Sequence, residues 1–146
     1  MRALAQAPVV LYDLADYRLT PDVFERFVNA TGPIAEIAGH DPAFTYAPLF
    51  TKDVMLDGDA PTVASGLAAR LENHAGLAAA LQTAKMSPRE YSKFAIALVA
   101  AHLAHEFLKA GVLQRVPSGA PANNVEFVKA HEPQVVAVLA ELGIRD

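Results

Sequence analysis

The chain contains no cysteine. That single absence removes disulfide frameworks, thiolate nucleophiles, Cys-x-x-Cys redox chemistry and thiolate zinc sites, while leaving the compartment open. Clustered positive charge is missing as well: 12 Lys and Arg stand singly against 16 Asp and Glu, for a net charge of −4. Phosphate backbones are held by basic patches, so nucleic acid is not an expected partner. Long hydrophobic runs are also lacking. The most apolar stretch, Phe94 to Ala104, is about half of the roughly 20 residues that a bilayer requires, and Lys93, His102 and His105 bound or interrupt it. No segment is therefore expected to span a membrane. A glycine-rich phosphate loop and a Walker lysine are absent too.

Alanine is abundant. Of the 146 residues, 53% are hydrophobic and 29 are alanine, which favours helix and buries little area per side chain. The length suits one domain, so an all-α domain is the first expectation. Residues 1–19 read as an extended N-terminal arm. Val9-Val10-Leu11-Tyr12 is strand-like but has no partner run, so the arm should lay Val10, Leu11, Leu14 and Tyr17 across a helical body formed by residues 20–146.

Four helices are expected in that body. Thr20-Pro21-Asp22 opens the first with a cap, a proline at the first position and an acid on the dipole, and Val23, Phe24, Phe27 and Val28 form its inward stripe. Gly32-Pro33 should bend or end it. Gly39 to Pro61 is a long apolar loop holding Phe44, Tyr46, Leu49 and Phe50, expected to be packed or to wall a pocket. Asp59 or Thr62 caps the second helix, with Val63, Leu67, Leu71, His74, Ala78 and Leu81 at helical spacing and a division expected at His74-Ala75-Gly76.

Ser87-Pro88-Arg89-Glu90 is a capping box, the strongest local signal in the chain, and it starts a long third helix that Gly111 stops. Ile96, Val99, Leu103 and Phe107 lie on one face of it and Tyr91, Phe94 and Leu98 on another, so this helix should be central. Asn123-Asn124-Val125-Glu126 offers a weaker cap to the fourth, whose stripe is Val125, Val128, Val135, Val138, Leu139 and Leu142, with a kink from Pro133. The expected fold is an irregular antiparallel four-helix bundle, in which small residues such as Ser65, Gly66, Ala69 and Ala97 allow close approach.

Chemistry could reside in the histidines. His102 and His105 stand three apart on the long helix, near the face of Tyr91, Phe94 and Leu98. These five residues are the expected ligand-binding face. A metal or haem reading would use His102, His105 and His131, with Glu126 or His74 as further ligands. Against it, the chain lacks the paired Glu-x-x-His of di-metal bundles and any Cys-x-x-Cys-His, and partly buried histidines satisfied by polar neighbours are the plainer reading. His102 and Glu106, four apart, form the one base-and-orienter pair a hydrolase-like enzyme could use; a surface ion pair is its plain counterpart. Ser65 lacks the elbow of a nucleophile and Ser87 is committed to a cap.

Asp13-Leu14-Ala15-Asp16-Tyr17-Arg18-Leu19-Thr20, Leu71-Glu72-Asn73-His74, Met86-Ser87-Pro88-Arg89-Glu90-Tyr91, Pro121 to Val128 and His131-Glu132 together give a pattern that resembles a group of small, uncharacterised bacterial proteins, usually with an export signal. The resemblance covers most of the chain, Gly39 to Gly58 and Pro133 excepted, and its motifs are caps and packing positions. It implies an all-helical domain sent to the periplasm and brings no catalytic residue. Met1 to Pro8 contains small-x-small triplets like the end of a secretory signal without the apolar stretch ahead of them, so a cytoplasmic location stays open. The leading expectation is a non-enzymatic helical domain that binds a small apolar ligand or a protein partner; the alternatives are a metal- or haem-binding protein and an enzyme using His102 with Glu106.

Overall fold

The first helix forms where the sequence supplies both a cap and a reason to bury one side. In the computed structural model, which describes residues 17–39, 67–112, 114–115 and 121–142, Thr20 Oγ1 accepts the Val23 N–H at 3.4 Å and α1 runs Pro21–Gly39. Pro33 neither ends nor caps it. The carbonyl of Asn29, which proline leaves without its helical N–H, belongs to an exposed turn open to water, while Ala30, Thr31 and Ile34 are buried and hold the helix through this point. Burial thus overrides the local breaker.

Beyond α1, residues 67–72 are helical (α2), followed by α3 (Ala75–Thr83), α4 (Pro88–Lys109), α5 (Ala122–Ala130) and α6 (Glu132–Glu141). The described residues are helical with no strand. Among the described residues six helical segments stand where four helices were expected, and the breaks at His74 and His131 each have a local cause. At His74 the backbone turns extended, and its Nδ1 accepts the Leu77 N–H at 3.3 Å, capping α3. At His131 the expected kink is a full break: Pro133 sits in the first turn of a new helix, where a missing N–H costs nothing, and His131 leaves helical geometry at φ −120°, ψ 26°. Asn123-Asn124 caps nothing; Pro121 precedes α5 without a side-chain cap.

The long helix begins as its capping residues dictate. Ser87 Oγ accepts the Glu90 N–H at 3.0 Å and Pro88 takes the first position. The Glu90 carboxylate, however, lies 3.6 Å from Arg26 of α1, tying the two helices at the surface. At the other end Gly111 adopts φ 80°, Val112 N–H bonds Phe107 O at 2.8 Å and Gly111 N–H bonds Leu108 O at 3.2 Å, a Schellman motif. Between these stops nearly every side chain from Tyr91 to His102 is buried, and α4 contacts α1, α3, α5 and α6. It is the central element, as its two apolar faces imply.

Aromatic rings join α4 to α1. Phe27 stacks on Tyr91 at 4.8 Å and tilts against Phe94 at 4.9 Å, and Phe24 stacks on Phe94 at 6.1 Å. Thr31 Oγ1 donates to Phe27 O at 2.8 Å, so its 2.9 Å contact with Tyr91 is made by the phenol hydrogen, and the one hydroxyl pair in this core is satisfied. Ala97 is buried as expected of a close-approach position, whereas Ala69 is exposed.

Of the arm, residues 17–19 are described, and they lie against the helical body. Asn124, 1% exposed, acts as a peptide mimic: its Oδ1 accepts the Leu19 N–H at 2.9 Å and its Nδ2 donates to Tyr17 O at 2.9 Å. Tyr17 meets Phe94 edge-on at 6.4 Å, and burial, then the nearby Glu90 charge, pushes its hydroxyl up to about 12. Gly39, the expected start of the long loop, is the last residue of α1; the rest of that loop, residues 40–61, and Val10, Leu11, Leu14, Val63, Ser65 and Gly66 lie outside the described residues.

Removing the amide in Asn124→Ala leaves the buried Leu19 N–H without an acceptor, so stability should fall by about 2–3 kcal/mol and Leu19 amide exchange should accelerate; urea denaturation and hydrogen exchange read both. Lys85 sits at φ 63° in a second Schellman turn, with Met86 N–H on Leu81 O at 3.0 Å. Lys85→Gly should therefore stabilise by up to about 1 kcal/mol, while Gly111→Ala should destabilise by about 1 kcal/mol, measured as opposite shifts in melting temperature.

Candidate functional site

Two arrangements on the surface of this frame place chemically capable side chains together. The first is a cleft of ≈ 770 Å³ between α1 and α6. Helical spacing builds both walls: Pro21, Phe24, Glu25 and Val28 repeat along α1, and Gln134, Ala137, Val138 and Glu141 repeat along α6. Each stripe covers eight residues, seven helical steps, and so is about 10 Å long. Phe24, Val28, Ala137 and Val138 supply apolar surface, and Asp22, Glu25 and Glu141 put carboxylates around it. Val28 is 37% exposed, although its sequence position put it in the inward stripe of α1.

His131 closes one end of the cleft. Its ring stacks on Phe127 at 4.3 Å and meets Phe24 edge-on at 6.0 Å. Its Nδ1 lies 2.9 Å from Phe127 O; a carbonyl can only accept, so Nδ1 carries a hydrogen. These contacts make His131 the hinge piece between α5 and α6.

The second arrangement is a charged node where the C-terminus of α4 meets the N-terminus of α6. Glu132 occupies the first turn of α6 and Lys109 the last turn of α4, each at the helix end whose partial charge favours it. Lys109 Nζ lies 3.1 Å from Glu132 Oε2 and 3.2 Å from Glu106 Oε2, and His105 Nε2 lies 3.3 Å from Glu132 Oε2. The hydrogen bond to Lys109 lowers the pKa of Glu132, and the hydrogen bonds to Glu132 and Glu106 raise that of Lys109. His105, Glu106 and Glu132 each offer a ligand atom within 4.8 Å of the others, the arrangement among the described residues that could hold a metal ion.

The expected site residues separate. Three residues amount to 300° of helical turn, which leaves 60° between His102 and His105. That angle puts His102, 3% exposed, in the core and His105, with 13% of its side chain exposed, at the seam with α6. His102 and His131 lie outside the metal-capable group, and the expected set of His102, His105 and His131 is replaced by His105, Glu106 and Glu132. Tyr91, Phe94 and Leu98 do not form an open binding face: all three are fully buried, and Phe27, Phe24 and Thr31 occupy the space beside the two rings. Glu106 turns to Lys109, and neither it nor His102 lines the cleft. His74 gives its Nδ1 to a helix cap.

Comparison with family models, curated proteins and solved structures finds no match for this chain. No helix among the described residues is long and apolar enough to cross a membrane. Sequence reasoning missed the cleft because it lies between two helices whose mutual placement depends on the break at His131. It missed Glu132 as a partner of His105 because the two are distant in sequence. The one available signal was Val28, an apolar residue at the edge of an otherwise complete stripe.

The node gives a pH signature. Glu132 has a folded pKa below its ordinary 4.5 and Lys109 one above its ordinary 10.5, so their mutual contribution is present between those values. It is lost as pH falls through the lowered carboxylate value, or rises through the raised ammonium value. In urea denaturation the gap between wild type and Glu132→Gln should close as the pH falls through the lowered carboxylate value; a gap unchanged in acid would contradict the pairing.

Proposed function

We propose that this protein is a non-enzymatic helical binding domain that takes a small, largely apolar ligand in the cleft between α1 and α6. The supporting observation is the cleft itself: its ≈ 770 Å³ falls within the usual range of ligand sites, and its apolar walls carry polar groups at the edge. The expected binding face on α4 is filled by protein, which moves the reading from Tyr91, Phe94 and Leu98 to Phe24, Val28, Ala137 and Val138. Ala137 is exposed and small, so a larger side chain there fills the cleft without disturbing the core. Titration with N-phenyl-1-naphthylamine, a neutral apolar fluorophore, should give saturable enhancement in the wild type. Ala137→Trp should weaken it at least about tenfold while the circular dichroism spectrum is unchanged. Equal binding by both proteins, or none by the wild type, would sink the proposal.

A second reading is favoured by one observation, the convergence of His105, Glu106 and Glu132. In it a divalent transition ion such as Zn²⁺ takes the place of the Lys109 ammonium between the two carboxylates, with the imidazole as third ligand. Calorimetric titration with zinc chloride should show Lys109→Ala binding more tightly than wild type and His105→Ala not binding. If Lys109→Ala takes up no zinc, the group is an ion-pair network alone.

A further inference from the structure

The walls of the α1–α6 cleft are apolar, and among the described residues its charge is of one sign: three carboxylates, Asp22, Glu25 and Glu141, line it, and no described lysine or arginine does. Asp22 is already engaged, 3.1 Å from Arg26 Nη2. Arg26 is the nearest cation along α1, and its other nitrogen bonds Lys85 O at 3.2 Å and approaches Glu90 at 3.6 Å; it lines a different hollow, beside α3. Glu25 and Glu141 stand on opposite walls and have no ion-pair partner among the described residues. The charged node differs in this respect, because Lys109 already neutralises its carboxylates.

We infer that the cleft selects an organic ammonium, an apolar aromatic or alkyl body carrying one positive charge, over neutral or anionic molecules of the same shape. The inference rests on the binding reading given above and adds the ligand's charge to it. Apolar surface of Phe24, Val28 and Val138 accepts the body of the ligand. The positive head then lies in the field of the carboxylates that line the cleft, whereas an anion placed there is repelled by them. His131 at the end of the cleft and Gln134 and Asn29 along it are the remaining polar neighbours, and none of them supplies a permanent positive charge. Attraction at an exposed rim is modest, so selectivity comes from the sum of the two acids and weakens with salt.

A matched set of probes separates charge from shape: naphthylmethylammonium, naphthylmethanol and naphthoate, each titrated into the isotope-labelled full chain while the amide shifts of Glu25, Val28, Ala137 and Val138 are followed. The ammonium should bind about fivefold more tightly than the alcohol, and the naphthoate more weakly than both. In the Glu25→Gln/Glu141→Gln double variant, and in the wild type at high salt, the ammonium should fall to the level of the alcohol, whose own affinity stays unchanged. If the alcohol binds at these residues but the ammonium gains nothing, or if the double variant keeps the preference, the charge selection is wrong while the cleft remains a binding site. If no probe, neutral ones included, shifts these amides, both readings fall together.

Discussion

A helix without a polar face has to be enclosed. Over Tyr91 to His102, α4 presents buried side chains in nearly every direction, so it cannot rest on a surface and other elements must surround it. Each fully buried large side chain such as Phe94, Ile96 or Leu98 contributes about 1.5–3 kcal/mol relative to exposure, and this gain requires α1, α3, α5 and α6 to be in place. The rest of the structure follows from that requirement. Phe24 and Phe27 bring α1 to one side, Leu77 and Leu81 bring α3 to another, and Val125 and Val128 bring α5 to a third. The arm segment 17–19 covers the rim of Phe94 and is held by the side chain of Asn124 because the bundle offers its backbone no sheet to join.

Function-bearing surface begins where this enclosure ends. Past Ala104 the residues of α4 are no longer fully buried, and His105, Glu106 and Lys109 emerge at the seam with α6. The break at His131 aims α6 at α1, with Val135, Val138 and Leu139 inward, while Ala137 leaves space opposite Val28. The node and the cleft therefore share a single cause. Had α5 and α6 formed one kinked helix, Glu132 would not start a new first turn beside Lys109, and the stripe at 134, 137, 138 and 141 would not have its present direction.

Several features could be read directly from residue order. The all-helical class, the start of α1 at Thr20-Pro21, the cap at Ser87-Pro88, the stop at Gly111, the division near His74 and the central role of the long helix all follow from backbone chemistry within a turn or two. The stripe of Val125, Val128, Val135, Val138, Leu139 and Leu142 is likewise buried as its spacing implies. Pro33 and Asn124 followed different rules. Proline is a local breaker that burial of Ala30, Thr31 and Ile34 outweighs, and the asparagine amide bonds a backbone segment more than 100 residues away instead of its own helix end.

The site was less legible, because apolar spacing does not reveal what will cover an apolar face. Tyr91, Phe94 and Leu98 have the composition of a ligand pocket, but Phe24 and Phe27 fill the space beside them. His102 and His105 differ in fate by 60° of rotation, an angle whose meaning depends on which helix lies alongside. Sequence by itself determined the helix starts at Thr20-Pro21 and Ser87-Pro88, the stop at Gly111 and which helix is enclosed, since capping, turn geometry and apolar periodicity act over a few residues. Tertiary structure alone decided that His105 meets Glu132 and that Glu25 and Glu141 line one cleft, since both depend on how separate helices pack in three dimensions.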